Sequence, residues 1–221
     1  LVDGNIIEDI VTGPAVAFFD AVGTIRNNII SGMDTAIESN QWSTSGGTTV
    51  TITGNTISNV RSGIITLVPA AGTVISGNAI TIDGTAGEFD RIGITVRNAT
   101  GAVTVADNDV SATGDGAGMW MFGNSVPVVV TGNRLTATGS VGGSAGLATG
   151  IFMTDDGRIA GDADGNPVGD LSTYATISGN TISGFATGIE LYRNGQSGGT
   201  VVQATIGGVA ANSITTAAGG T

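Results

Sequence analysis

An asparagine returns at the same phase along most of this chain, each time inside the pattern apolar–x–x–Asn–x–apolar. It stands in VDGNII at Asn5, IRNNII at Asn28, ITGNTI at Asn55 and ISGNAI at Asn78. It continues in VADNDV at Asn108, VTGNRL at Asn133, ISGNTI at Asn180 and, degenerately, VAANSI at Asn212. Successive copies lie 23 to 32 residues apart, except for an interval of 47 between Asn133 and Asn180. A unit this short cannot bury an apolar face by itself. Stacked on its neighbours, it shares one continuous interior and pairs each strand with its copies above and below.

A second signature follows each of the first seven asparagines: AVAFFD from Ala15, TAIESN from Thr35, GIITLV from Gly63 and GITVRN from Gly93. The later copies are GMWMFG from Gly118, GIFMTD from Gly150 and GIELYR from Gly188. Each alternates with period two, which marks a strand and not a helix. Strands that precede the asparagine are explicit in TTVTIT, AGTVIS, GAVTVA, VPVVVT and YATIS. Each unit therefore holds a strand ending at the Asn turn, a short strand after it, and a third strand that opens with Gly or another small residue. Three strands per turn with connections of unequal length describe a parallel β-solenoid. At about 4.8 Å per coil, eight coils make a rod roughly 38 Å long. A β-sandwich has similar strand spacing but gives no reason for the constant phase of the asparagine.

That reason is physical. At a tight corner between strands Asn tolerates unusual backbone dihedrals, and its amide both donates and accepts. Copies stacked one coil apart can bond to each other and to the turn backbone, satisfying polar groups that the bend would strand. Asn5, Asn28, Asn55, Asn78, Asn108, Asn133, Asn180 and Asn212 are therefore read as a structural ladder. The Gly before several of them (Gly4, Gly54, Gly77, Gly132, Gly179) is read as bend geometry.

Composition narrows the partners. The chain carries 18 acidic residues against 7 arginines, with no lysine, histidine or cysteine, for a net charge of −11. That balance repels phosphate backbones, so neither nucleic acid nor an anionic membrane is expected as a partner. Disulfides, thiolate metal sites and thiol redox chemistry are excluded, as is P-loop chemistry, which needs a lysine. No run of 18 apolar residues is present, so no helical membrane span is expected. The 221 residues are read as one domain, 1–221, whose opening residues already belong to the repeat. The expectation is therefore a piece of a longer protein, with a loop insertion at about 155–172.

The Asn turn followed by Gly-Ile-x-apolar resembles the right-handed parallel β-helix superfamily, which includes pectate lyases, polygalacturonases and phage tailspikes. The likeness spans Val2 to about Ile214 and speaks to fold more than to function, because that superfamily holds lyases, hydrolases, epimerases and non-enzymatic surface proteins. It implies that the Gly-Ile strands form the sheet whose outer face, in the enzymes, carries substrate.

Alternation assigns that outer face. In GIELY, Ile189 and Leu191 point inward while Glu190 and Tyr192 point outward. The outward pairs become Ala17/Phe19, Glu38/Asn40, Ile65/Leu67, Thr95/Arg97, Trp120/Phe122, Phe152/Thr154 and Glu190/Tyr192, with Met119, Met121 and Met153 inside. Half of the ten aromatic residues fall on this face, and Trp42 lies just beyond its strand. Two readings stand side by side. The binding reading sets Phe19, Glu38, Arg97, Trp120, Phe122, Phe152, Glu190 and Tyr192 along a groove for sugar rings or a protein partner. In the other, long loops after Gly139 and Thr154 fold back over the rings.

Catalysis is the less favoured reading. Glycoside hydrolysis needs two carboxylates roughly 5–9.5 Å apart. Asp155 and Asp156 are adjacent in sequence, whereas Glu38 and Glu190 stand five coils apart. The resemblance implies, for polygalacturonase-like enzymes, aspartates on neighbouring coils joined by a histidine, which this chain lacks. A lyase role would fall to Arg97 or Arg193, which lack a readable cluster of acidic ligands. One further signal is Asp162, Asp164 and Asn166 at i, i+2, i+4, with Asp170 four further on, a spacing of calcium ligands. Thr173 stands where an EF-hand needs Glu, and Gly165 comes two places early. A looser calcium loop and a plain solvated Gly/Asp loop both fit. Asn98-Ala99-Thr100 matches an N-glycosylation acceptor.

The sequence thus points to an all-β, right-handed parallel β-helix of about eight coils. It reads as a rigid structural or display domain, extracellular or on a cell surface, with polysaccharide or a surface protein along the Gly-Ile sheet as its candidate partners. A polysaccharide lyase or glycoside hydrolase is the alternative. Calcium is the one cofactor suggested, and the oligomeric state is left open.

Overall fold

The computed structural model describes residues 1–10, 12–41, 48–83, 91–139, 148–155, 172–193, 200–208 and 210–217. Every pairing between its named strands is parallel, and each strand pairs with its counterpart one coil away.

Three walls build each coil. The strands before the asparagines form one eight-stranded sheet, in the order β1 (Val2–Asp3), β4 (Gly23–Arg26), β6 (Val50–Thr53), β8 (Thr73–Ser76), β11 (Val103–Ala106), β14 (Val128–Thr131), β17 (Thr173–Ser178) and β20 (Val202–Ile206). The second wall holds β2 (Ile6–Glu8), β9 (Ala79–Ile82), β12 (Asp109–Thr113), β15 (Arg134–Thr138), β18 (Thr181–Ser183) and β21 (Ser213–Thr215). The third, the Gly-Ile wall, holds β3 (Pro14–Phe19), β10 (Ile92–Arg97), β13 (Ala117–Phe122), β16 (Thr149–Thr154) and β19 (Thr187–Tyr192).

Coils two and three differ from the expected three strands per unit. There β5 (Ile29–Asn40) and β7 (Thr56–Leu67) run unbroken through the second and third walls, joining them into one thirteen-stranded sheet. The bend inside these strands is made by one residue in the left-handed region, Gly32 at φ 79° and Asn59 at φ 53°. A single such residue re-aims the strand without a loop.

The interior is a set of stacked columns. Ile25, Ile52, Ile75, Val105, Val130 and Ile177 share one column, and Ile30, Ile57, Ile80, Val110, Leu135 and Ile182 another. All are buried in the one main core, and each contributes about 1.5–3 kcal/mol of burial. Met119, Met121 and Met153 fill the same interior, as the alternation requires.

The asparagines form the expected ladder, and its links are double. In each, one Asn donates from its backbone N–H and from Nδ2 to Oδ1 of the next. The side-chain links from Asn5 through Asn28, Asn55, Asn78, Asn108, Asn133 and Asn180 to Asn212 are 2.9–3.0 Å long. The matching backbone links run from 2.9 to 3.1 Å. In coils one to seven the corner is made by two residues, such as Gly54 and Asn55 between β6 and β7. The residue before the ladder Asn is left-handed in all seven, which is why five are Gly and the other two, Asn27 and Asp107, are the types that best tolerate that region.

Glycine has a second role in the Gly-Ile wall. A Cβ on Gly118 would stand 2.5 Å from the backbone oxygen of Gly150 and 3.2 Å from Cδ1 of Leu135. Gly63, Gly93 and Gly150 meet the same obstacles, namely the next glycine's carbonyl and an inward aliphatic side chain of the second wall. The column is glycine because the two walls close on each other there.

Candidate functional site

The strand register assembles the outward rows of the Gly-Ile wall. One row runs Ala17, Glu38, Ile65, Thr95, Trp120, Phe152, Glu190, and the other carries Arg97, Phe122, Thr154 and Tyr192 in successive coils. Phe19 faces Asn40 at the first coil of the second row. Every outward pair assigned from alternation lies in these rows.

What the rows present to solvent varies along the rod. Phe19 and Tyr192, toward the two ends, are 44% and 42% exposed, whereas Trp120, Phe122 and Phe152 are 8%, 4% and 5% exposed. These three rings, with Ile92 and Ala117, make a second apolar cluster outside the solenoid wall and distinct from the main core. Trp120 meets Phe122 edge-on at 5.2 Å between ring centres and Phe152 at 5.6 Å. Such contacts are worth about 0.5–1.5 kcal/mol beyond burial. Arg97 is buried as well, its guanidinium 5.9 Å from the centre of the Phe122 ring. Phe152 stacks on Tyr192 at 6.1 Å and 29°, so the exposed tyrosine is the visible end of an otherwise enclosed aromatic run. Glu190 accepts a hydrogen bond from Oγ1 of Thr149 at 3.2 Å and stands beside Phe152 in register.

Asp155 follows β16 directly and is fully buried. Its Oδ2 accepts a bond of 2.6 Å from Oγ1 of Thr200 and lies 3.9 Å from Nε of Arg193. The acid is thus held between a hydroxyl and a guanidinium of later coils. Arg97 and Arg193 belong to coils four and seven, so about 14 Å of stacking separates their levels. Glu38 and Glu190, in coils two and seven, are about 24 Å apart by the same measure, beyond the reach of a shared glycosidic bond. Among the described residues no group of three or more acidic side chains converges to hold a metal. Asp156, Asp162, Asp164, Asn166, Asp170 and Trp42 lie outside the described residues.

A corner beside this face went unread in the sequence. Asn124 is fully buried, accepts from the backbone N–H of Ala99 at 2.9 Å and donates to the Val96 carbonyl at 3.0 Å. Its own N–H donates to Thr173 Oγ1, which in turn donates to the Thr154 carbonyl. The signal was present, for Asn124 follows Gly123 in the same Gly-Asn dipeptide as the main ladder, with Gly123 left-handed at φ 54°. Asn98, in the same corner one coil earlier, is only 6% exposed, and its Oδ1 has no hydrogen-bond partner among the described residues. The acceptor asparagine of the Asn-Ala-Thr motif is therefore enclosed in the folded chain, with Ala99 buried beside it and Thr100 exposed.

The lengths of the connections add a further pattern. The Asn corner keeps its two residues from coil one to coil seven, while the segments flanking the Gly-Ile strands range from none, inside β5 and β7, to residues 155–172 between β16 and β17. Length variation is thus concentrated on the two borders of one wall. Variable loops on a constant frame are where binding sites are built.

A family model for a right handed beta helix region matches residues 1–158. No curated protein and no solved structure matches the chain.

Proposed function

Since the chain belongs to the right handed beta helix family, we propose that it is a rigid display scaffold of an exported or cell-surface protein, presenting the Gly-Ile wall to a glycan or a protein partner. The observation that carries this reading is the contrast between frame and borders. The double-bonded Asn ladder holds coils one to seven at the same two-residue corner, while within those coils the connections of unequal length lie beside the Gly-Ile strands. A frame with so little conformational freedom orders its surface before a partner arrives, which lowers the entropy lost on binding. Tyr192, with Phe152 stacked behind it, Glu190 two residues before it and Arg193 directly after it, is the part of the aromatic run open to contact. An exposed ring backed by a second ring suits the face of a sugar or an aromatic side chain.

The alternative, an enzyme acting on polysaccharide, draws on the buried Asp155 with Arg193 near it. One experiment separates the two. The chain is incubated with a panel of neutral and acidic polysaccharides while retention on the polymer, new reducing ends and unsaturated products are all followed. Retention without product supports display, product of either kind supports the enzyme, and neither removes polysaccharide from the proposal and leaves the protein partner.

A further inference from the structure

We draw no further inference here: the strongest candidate, the edge of the Gly-Ile wall at β19 where Leu191 and Tyr192 are exposed, is an apolar strand edge, and nothing in the structure shows what covers it.

Discussion

Asn108 donates twice to Oδ1 of Asn133, from its backbone N–H at 3.0 Å and from Nδ2 at 2.9 Å. Its own Oδ1 accepts the same pair from Asn78, and Nδ2 also reaches the Ile75 carbonyl. Asn108→Ala would remove the acceptor of the buried Asn78 N–H and the side-chain donor to the Ile75 carbonyl, while Asn78 Nδ2 keeps the Ile52 and Ser76 carbonyls, at about 1–3 kcal/mol for each group stranded. The expected loss is about 3–5 kcal/mol in urea unfolding. Asn5→Ala, at the exposed start of the ladder, should lose about 1 kcal/mol or less. Equal losses at the two positions would mean that the ladder does not hold the corner.

The glycine column makes a prediction of the opposite kind, about space and not polarity. At Gly118 the atom nearest a new Cβ is the backbone oxygen of Gly150, which cannot rotate away. Gly118→Ala should destabilise by about 1–3 kcal/mol through overpacking. At Gly4 nothing lies within 4 Å, so Gly4→Ala should cost about 1–2 kcal/mol for its left-handed backbone alone. Crystal structures of the two variants would tell the causes apart, with a shifted coil in the first and an unchanged one in the second.

Val68 holds φ at +53° in front of Pro69, at a corner where Asp20, Asn98 and Gly123 are also left-handed. A β-branched residue is poorly suited to that region. Val68→Asn keeps the corner geometry with a side chain that tolerates it, so the variant should gain about 1 kcal/mol in thermal or urea unfolding. One coil further along the same corner stands Asn98 Oδ1, an acceptor in need of a donor. If Nδ2 of the new residue reaches it, Asn98→Ala will cost more in the Val68→Asn background than in the parent. A variant less stable than the parent would show that packing of the valine outweighs its backbone strain.

These positions also show what the sequence could and could not say. The phase of the asparagines and the period-two alternation together determine which coil pairs with which, so Thr95, Trp120, Phe152 and Glu190 could be placed in one row before any coordinates. Both patterns are local and repeat, which is why they were readable. The burial of Trp120 and Arg97 is neither, because alternation gives the side on which a residue points and not what lies over it. The glycine column was visible only as a small residue at the start of a strand. Its reason, the Gly150 carbonyl one coil below Gly118, exists only after stacking. The fusion of two walls in β5 and β7 was missed because Gly32 and Asn59 look like turn residues, although here they bend a strand without ending it.

Acid should loosen the opening coil. Arg26 donates to the Asp3 carboxylate at 2.7 Å and Asn27 donates to its other oxygen, and these bonds hold Asp3 below its ordinary value of 3.8. A lowered folded-state pKa contributes stability that is present above the unfolded value and is lost as pH falls through the folded one. Both side chains are solvent-accessible, so the effect is small and local. Amide hydrogen exchange at Gly4 and Asn5 should be faster in Asp3→Asn than in the parent near neutral pH, with the two converging well below pH 3.8. A difference that persists at low pH would show that the pair is not its source.

The final prediction separates the part of the aromatic run that supports the structure from the part free to bind. Trp120 is enclosed by Phe122 and Phe152, so Trp120→Ala should lose about 3–5 kcal/mol of stability. In a Trp42→Phe background the remaining tryptophan should emit at short wavelength and resist quenching by iodide, as a buried indole does. Tyr192 packs on Phe152 through one face and is open on the other, so Tyr192→Ala should change stability by about 1 kcal/mol or less. If the Gly-Ile wall is the binding face, that same change should weaken retention on whichever polysaccharide or partner the chain holds by about tenfold, as loss of a stacked ring at a contact does. A ligand held equally well by parent and Tyr192→Ala, and equally well again by Phe19→Ala, would move the binding face to another wall.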